Sequence, residues 1–112
     1  MKTTIIFNRY GMGEAEPELQ LKLATTFLQL LLDGDQEPPA AICFYGEGVK
    51  LAVDGSPVLE QLKALADRQI PLILCSTCLH FYNLRDKVAV GIVGGMHDII
   101  EAQWRADKVI TL

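Results

Sequence analysis

The chain has 112 residues and a formal net charge of −4; half of its residues are hydrophobic and 21% are charged. That is the size of one domain with a real core, and so much aliphatic residue at so little net charge excludes intrinsic disorder. The apolar stretches Leu28 to Leu32, Ile70 to Cys75 and Val88 to Val93 fall far short of the ~20 residues of a membrane-spanning helix, and the scattered basic residues argue against a nucleic-acid partner.

The opening reads as a strand, Thr3 to Phe7, which is β-branched and apolar. Asn8-Arg9 cuts that run off too early for a signal peptide. A polar loop, Asn8 to Gly13, leads to a helix over Glu18 to Leu32. Leu19, Leu23, Phe27, Leu30 and Leu31 are expected on its buried face, and Gly34 is expected to end it in the left-handed conformation. Ala40 to Tyr45 has no polar position. A strand apolar on both faces belongs in a sheet covered on both sides.

Gly46 to Asp54 reads as a loop or irregular turn. Ser56-Pro57 then has the form of an N-cap and first helical residue, with Val58, Leu62 and Leu65 as a buried stripe. Pro71 to Cys75 predicts a third strand and Ser76 to about Tyr82 a short helix. Val88 to Val90 predicts a small fourth strand. Gly91, Gly94 and Gly95 read as turn residues, Met96 to Ala106 as a helix, and Val109 to Leu112 as the last strand. The alternation makes residues 1–112 a single α/β domain, a flavodoxin-sized three-layer α/β/α sandwich. Sites in such sheets lie at the carboxyl ends of the strands. Three loops leave those ends: Asn8 to Gly13, Gly46 to Asp54, and Cys75 onward.

The sharpest chemical feature is Cys75-Ser76-Thr77-Cys78, directly after the third strand. A thiol at a strand-to-helix junction sits beside free backbone N–H groups that favour the nucleophilic thiolate. Redox dithiols, sulfur carriers and half-sites for zinc all use this spacing, and two small residues packed under a sheet would satisfy it too. A zinc site would need His80 and His97, which lack a paired-ligand spacing, so no metal and no cofactor is expected. Gly91 to Gly95 lacks the spacing of a dinucleotide loop. Cys43 reads as an inert core thiol. Three cysteines without a secretion signal favour reduced thiols in the cytoplasm. Glu14, Glu16 and Glu18 suit the start of a helix dipole. Arg9 and Lys50 stand in loops at the edge of the expected site, as solvated charges or as partners of a sulfur anion. Phe44-Tyr45, Phe81-Tyr82 and Trp104 serve either core packing or an oligomer contact.

The stretches IPLILCSTCLHFYNL, VAVGIV and EAQWRADKVITL, with GEGVKLAVDGSPVLEQLKAL and GMGEAEPELQLKL before them, carry a resemblance over nearly the whole chain. They resemble the DsrE/DsrF family of small sulfur-relay proteins, in the branch of the YedF C-terminal domain and YchN. The resemblance implies a mainly parallel five-stranded sheet, assembly into homo-oligomers (dimers, trimers or hexamers), and a cysteine that carries sulfur as a persulfide. That cysteine matches Cys75, with Cys78 as a resolving thiol or second acceptor. Partners would be sulfur-donor and sulfur-acceptor proteins. YedF proteins carry a TusA-like domain with a Cys-Pro motif; no such segment occurs here, so the donor is expected in trans. His80 and Asn83 stand where the YedF-type segment has Asp and Gly. The leading reading is a cytoplasmic sulfur or selenium carrier working through a Cys75 persulfide, a sulfurtransferase-like activity. A dithiol redox protein and a non-catalytic oligomeric module are the alternatives. A carrier is expected to tolerate Cys78→Ser in the loading step, whereas a redox cycle would not.

Overall fold

Runs of aliphatic and β-branched residues form five strands in the computed structural model, which describes all 112 residues. They are β1 (Thr3–Phe7), β2 (Ala41–Phe44), β3 (Leu72–Cys75), β4 (Ile92–Gly94) and β5 (Lys108–Thr111). Four α-helices connect them: α1 (Pro17–Asp33), α2 (Leu59–Asp67), α3 (Ser76–Phe81) and α4 (Met96–Arg105), with 3-10 segments at Gly46–Ala52 and Arg85–Lys87. The strands lie in the order β4-β3-β2-β1-β5. Every pairing is parallel. This is the α/β/α architecture expected from the alternation of elements, with the sheet wholly rather than mainly parallel.

The order of strands decides which face each helix covers. The chain steps from β1 to β2 to β3 in one direction and returns from β4 to β5 in the other. Right-handed crossovers therefore place α1 and α2 on one face and α4 on the opposite face. The contacts agree. Phe7 meets Phe27 of α1 edge-on at 6.5 Å and stacks on Phe44 at 5.6 Å, each pair adding about 0.5–1.5 kcal/mol beyond its burial. Alternation along the strand turns Thr4 to the other face, where its hydroxyl donates to the Ala102 carbonyl of α4 at 3.0 Å. Parallel register then assigns the faces. Ile5, Phe7, Ile42, Phe44, Leu72 and Leu74 point toward α1 and α2; Thr4, Ile6, Ala41, Cys43, Ile73 and Cys75 point toward α4. All four residues of β2 are buried, as a central strand covered on both sides requires.

Several elements differ from the sequence reading. The fourth strand is Ile92–Gly94, not Val88 to Val90. Val88 makes only an isolated antiparallel bridge to Val53, and the Ala89 N–H donates to the Ala52 carbonyl, so this apolar run pins a loop instead of joining the sheet. Glycines flank the true edge strand and mask it. Helix α2 starts at Leu59, because Ser56 and Pro57 form a turn in which the Ser56 hydroxyl accepts from the Val58 N–H at 3.3 Å. Its stripe of Val58, Leu62 and Leu65 is buried as expected.

In α1 the buried line runs through Ala24 and Leu28, while Leu19, Leu23 and Leu30 are exposed. Phe27 and Leu31, also expected on the buried face, are partly buried and pack against the core beside that line. Gly34 is extended, with φ −79° and ψ 167°, not left-handed. The stretch from Gly46 is an ordered 3-10 segment that buries Val49, Leu51 and Ala52. Trp104 and Phe81 are largely exposed and take no part in the core. No helix is long and apolar enough to cross a membrane.

Candidate functional site

Neighbouring parallel strands deliver their following loops to the same end of the sheet. Because β2 pairs with β3, the turn after Phe44 lies beside the turn after Cys75. Cys75 is the last residue of β3 and also the N-cap residue of α3. Cys78 is the third residue of that helix. N-cap and third helical positions face each other across the first turn, so the spacing brings both thiols to one side. Their exposure differs. Cys75 is 1% exposed and belongs to the core cluster, whereas Cys78 is half-buried and packs against that cluster from outside.

The backbone N–H of Gly46 donates to Cys78 Sγ at 3.0 Å. Gly46 can aim that amide because its φ is +55°, a conformation in which a side chain is strained, and a Cβ there would lie 3.2 Å from the Asn8 carbonyl oxygen. The turn is held in place from both sides. The Tyr45 N–H donates to the Phe7 carbonyl at 3.1 Å, and the Gly48 N–H to the Tyr45 carbonyl at 2.9 Å. The first loop closes this end, with the Met12 N–H bound to the Gln20 carbonyl at 2.9 Å.

Two opposing influences act on Cys78. Burial pushes its thiol pKa up, and the neighbouring Cys75 thiol adds to that rise both as hydrogen-bonding partner and as a like charge. The Gly46 N–H works in the opposite direction, since a donor favours the thiolate. On balance the Cys78 thiol lies above its ordinary range. Cys43 has no such donor, and burial alone pushes it up to about 11.

The other residues singled out by the sequence are not gathered here. Lys50 is engaged with Glu47 at 3.3 Å and sits 4.4 Å above the Tyr82 ring. Arg9 donates to the Asn8 side chain at 3.3 Å. His80 is exposed, and His97 lies at the start of α4 beside Asp98. No three His, Cys, Asp or Glu residues are grouped so as to hold a metal ion. Glu16 is the N-cap residue of α1 and Glu18 lies in its first turn, as dipole partners would. Among the five main surface grooves, the one between α4 and the amino halves of β2 and β3 holds about 350 Å³ and is lined by Thr4, Ile73, Asp98 and Arg105. It lies at the far end of the sheet from the thiols. A second, of about 450 Å³, is lined by Tyr10, Lys50, Asp54 and Tyr82 and rims the carboxyl end.

The residue that sequence reasoning missed is Gly46. The available signal was a glycine directly after an apolar central strand, in a loop that leaves the carboxyl end.

A sequence profile described as DsrE/DsrF-like family matches residues 1–112, the whole chain. The chain belongs to the DsrE/DsrF-like family. Solved structures carry the same fold. The ychN protein from E. coli is 19% identical, with 100% of both chains covered and a TM-score of 0.68. Protein MTH1491 from Methanobacterium thermoautotrophicum is 15% identical over 99% of this chain and 98% of that one, with a TM-score of 0.73. Protein BT1422 from Bacteroides thetaiotaomicron is 14% identical over 99% and 95%, with a TM-score of 0.70. At these identities the likeness is one of fold. No curated protein matches the chain.

Proposed function

We propose that this DsrE/DsrF-like chain is a sulfur-relay protein that holds sulfane sulfur as a persulfide on Cys75. One observation carries the reading: two neighbouring thiols stand at a strand end, and one of them accepts a backbone N–H at 3.0 Å. Family membership supports it, since sulfur relay is what the DsrE/DsrF resemblance implies. The chemistry is group transfer. A thiolate attacks the outer sulfur of a donor persulfide, the donor leaves as its thiolate, and an acceptor thiolate later removes the same sulfur. No electrons are lost, so neither a metal nor a redox cofactor is needed. Burial suits Cys75 to storage, because a persulfide away from water is protected from stray thiols and oxidants.

Donor and acceptor are cysteine-bearing proteins of the cytoplasm. A second copy of the chain is the further partner. Met96, Ile100 and Trp104, spaced by four along α4, are exposed at 44%, 46% and 83% and form an apolar stripe suited to self-association. Light scattering of the purified protein is expected to give an oligomer.

The test is mass spectrometry of the reduced protein after exposure to glutathione persulfide. One added sulfur is expected, mapped by fragmentation to Cys75, and none in the double variant Cys75→Ser/Cys78→Ser. A Cys75–Cys78 disulfide without retained sulfur would replace the carrier reading with dithiol redox chemistry. An unmodified wild type would leave an assembly module.

A further inference from the structure

Cys75 is placed well for holding sulfur and badly for receiving it. It is 1% exposed, enclosed by the end of the core, and a protein-bound persulfide cannot reach its Sγ along the line of attack that thiol exchange requires. Cys78 is one helical turn further out, half-buried, and is the thiol the Gly46 amide touches. Resting on the relay reading above, we infer that sulfur enters through Cys78, held by the Gly46 N–H, and is then passed inward to Cys75.

The two steps balance without any further reactant. In the first, the Cys78 thiolate attacks the terminal sulfur of the donor persulfide. A sulfur–sulfur bond forms at Cys78, the donor's sulfur–sulfur bond breaks, and the donor leaves as a thiolate. In the second, the Cys75 thiolate attacks the terminal sulfur now on Cys78. The bond to Cys78 breaks and Cys75 becomes the persulfide. Cys78 departs as a thiolate, and the proton given up by Cys75 is recovered by Cys78. Nothing is oxidised or reduced overall.

The Gly46 N–H serves both steps at the same atom. It stabilises Cys78 Sγ as the attacking anion in the first and as the leaving anion in the second. Cys75 offers the reverse condition, a thiol enclosed by the core with its sulfur kept from solvent. The sulfur thus moves from the half-buried thiol to the buried one on loading, and release to an acceptor retraces the same two exchanges through Cys78.

The experiment follows the loading of the folded protein by glutathione persulfide over time, in wild type, Cys78→Ser, Cys78→Ala and Cys75→Ser, each first shown to keep the wild-type thermal midpoint. Unlike a carrier that loads Cys75 directly, which would tolerate Cys78→Ser, this route predicts that both Cys78 variants load Cys75 about tenfold or more slowly and that Cys75→Ser accumulates the sulfur on Cys78 as retained sulfur, not as a disulfide. Two substitutions at Cys78 separate loss of the thiol from a local packing defect. Loading of Cys75 at the wild-type rate in the Cys78 variants would overturn the route. So would a Cys75→Ser protein that takes up no sulfur while the wild type does. A wild type that takes up none overturns the relay reading itself, and the route with it.

Discussion

The middle of β2 and the carboxyl end of β3 each hold a cysteine turned toward the α4 face, yet their surroundings diverge. Cys43 is fully enclosed between neighbouring strands, with β-ladder backbone on both sides and no amide left to donate. Its thiol behaves as a small apolar group, and burial raises its pKa to about 11. At the end of β3 the ladder stops, the chain turns into α3, and backbone N–H groups are no longer committed to a neighbour. The donor that reaches Cys78 comes from the neighbouring strand's end, the Gly46 N–H in the turn after β2. What differs is not residue type or face but whether the local backbone has donors to spare.

Alkylation gives the largest expected contrast. Cys43 is displaced from the ordinary 9.0 to about 11, so its thiolate fraction near neutral pH falls about a hundredfold, and enclosure slows it further. Iodoacetamide on the native protein is expected to modify Cys78 long before Cys43, which should react only on unfolding. Peptide mapping of a time course checks this. Early modification of Cys43 would erase the distinction.

The same thiol sets a pH dependence of stability. Its folded pKa lies above the unfolded value, so the unfolded chain loses this proton first. The contribution is fully present below about pH 9 and is lost as pH rises toward 11. The loss is expected to be about 2 kcal/mol. Urea unfolding at about pH 8 and about pH 10.5, compared between wild type and Cys43→Ala, isolates it. The alanine variant should show a smaller decline.

The smallest effects probe the amide at the strand end. Gly46→Ala forces a side chain into φ +55° against the Asn8 carbonyl, at a cost of about 1–2 kcal/mol. By displacing the donor it should also raise the Cys78 pKa further. Cys75→Ala should move that pKa the other way, because the neighbouring thiol raises it. Alkylation rate against pH reads both shifts. Equal titration of Cys78 in all three proteins would separate the amide from the thiol chemistry.

Particular residues show how much was legible beforehand. The runs TTIIF and AAICFY read as strands, because an apolar β-branched run has few other uses. The Cys75-to-Cys78 motif was visible as chemistry, and its strand-to-helix setting followed from PLILC before it. Val88 to Val90 misled, because an apolar run of three pins a loop as readily as it builds a strand. Ile92–Gly94 was hidden by glycines that edge pairing tolerates. Leu19, Leu23 and Leu30 of α1 misled for a related reason, while Phe27 and Leu31 pack against the core as expected. A stripe of large residues and a neighbouring stripe with a small alanine both have helical period, and only packing against the sheet selects between them.

The order of elements, the apolar central strands and the pair of thiols at a strand end were determined by the sequence alone, since each depends on local periodicity, propensity or spacing. Which thiol is reachable, and which backbone amide meets it, was decided only by tertiary structure. Gly46 and Cys78 are 32 residues apart, and they meet because β2 and β3 are neighbours in the sheet. Cys75 and Cys78 look interchangeable in sequence, and only the closure of the core over β3 makes one an interior group and leaves the other half-buried at its edge.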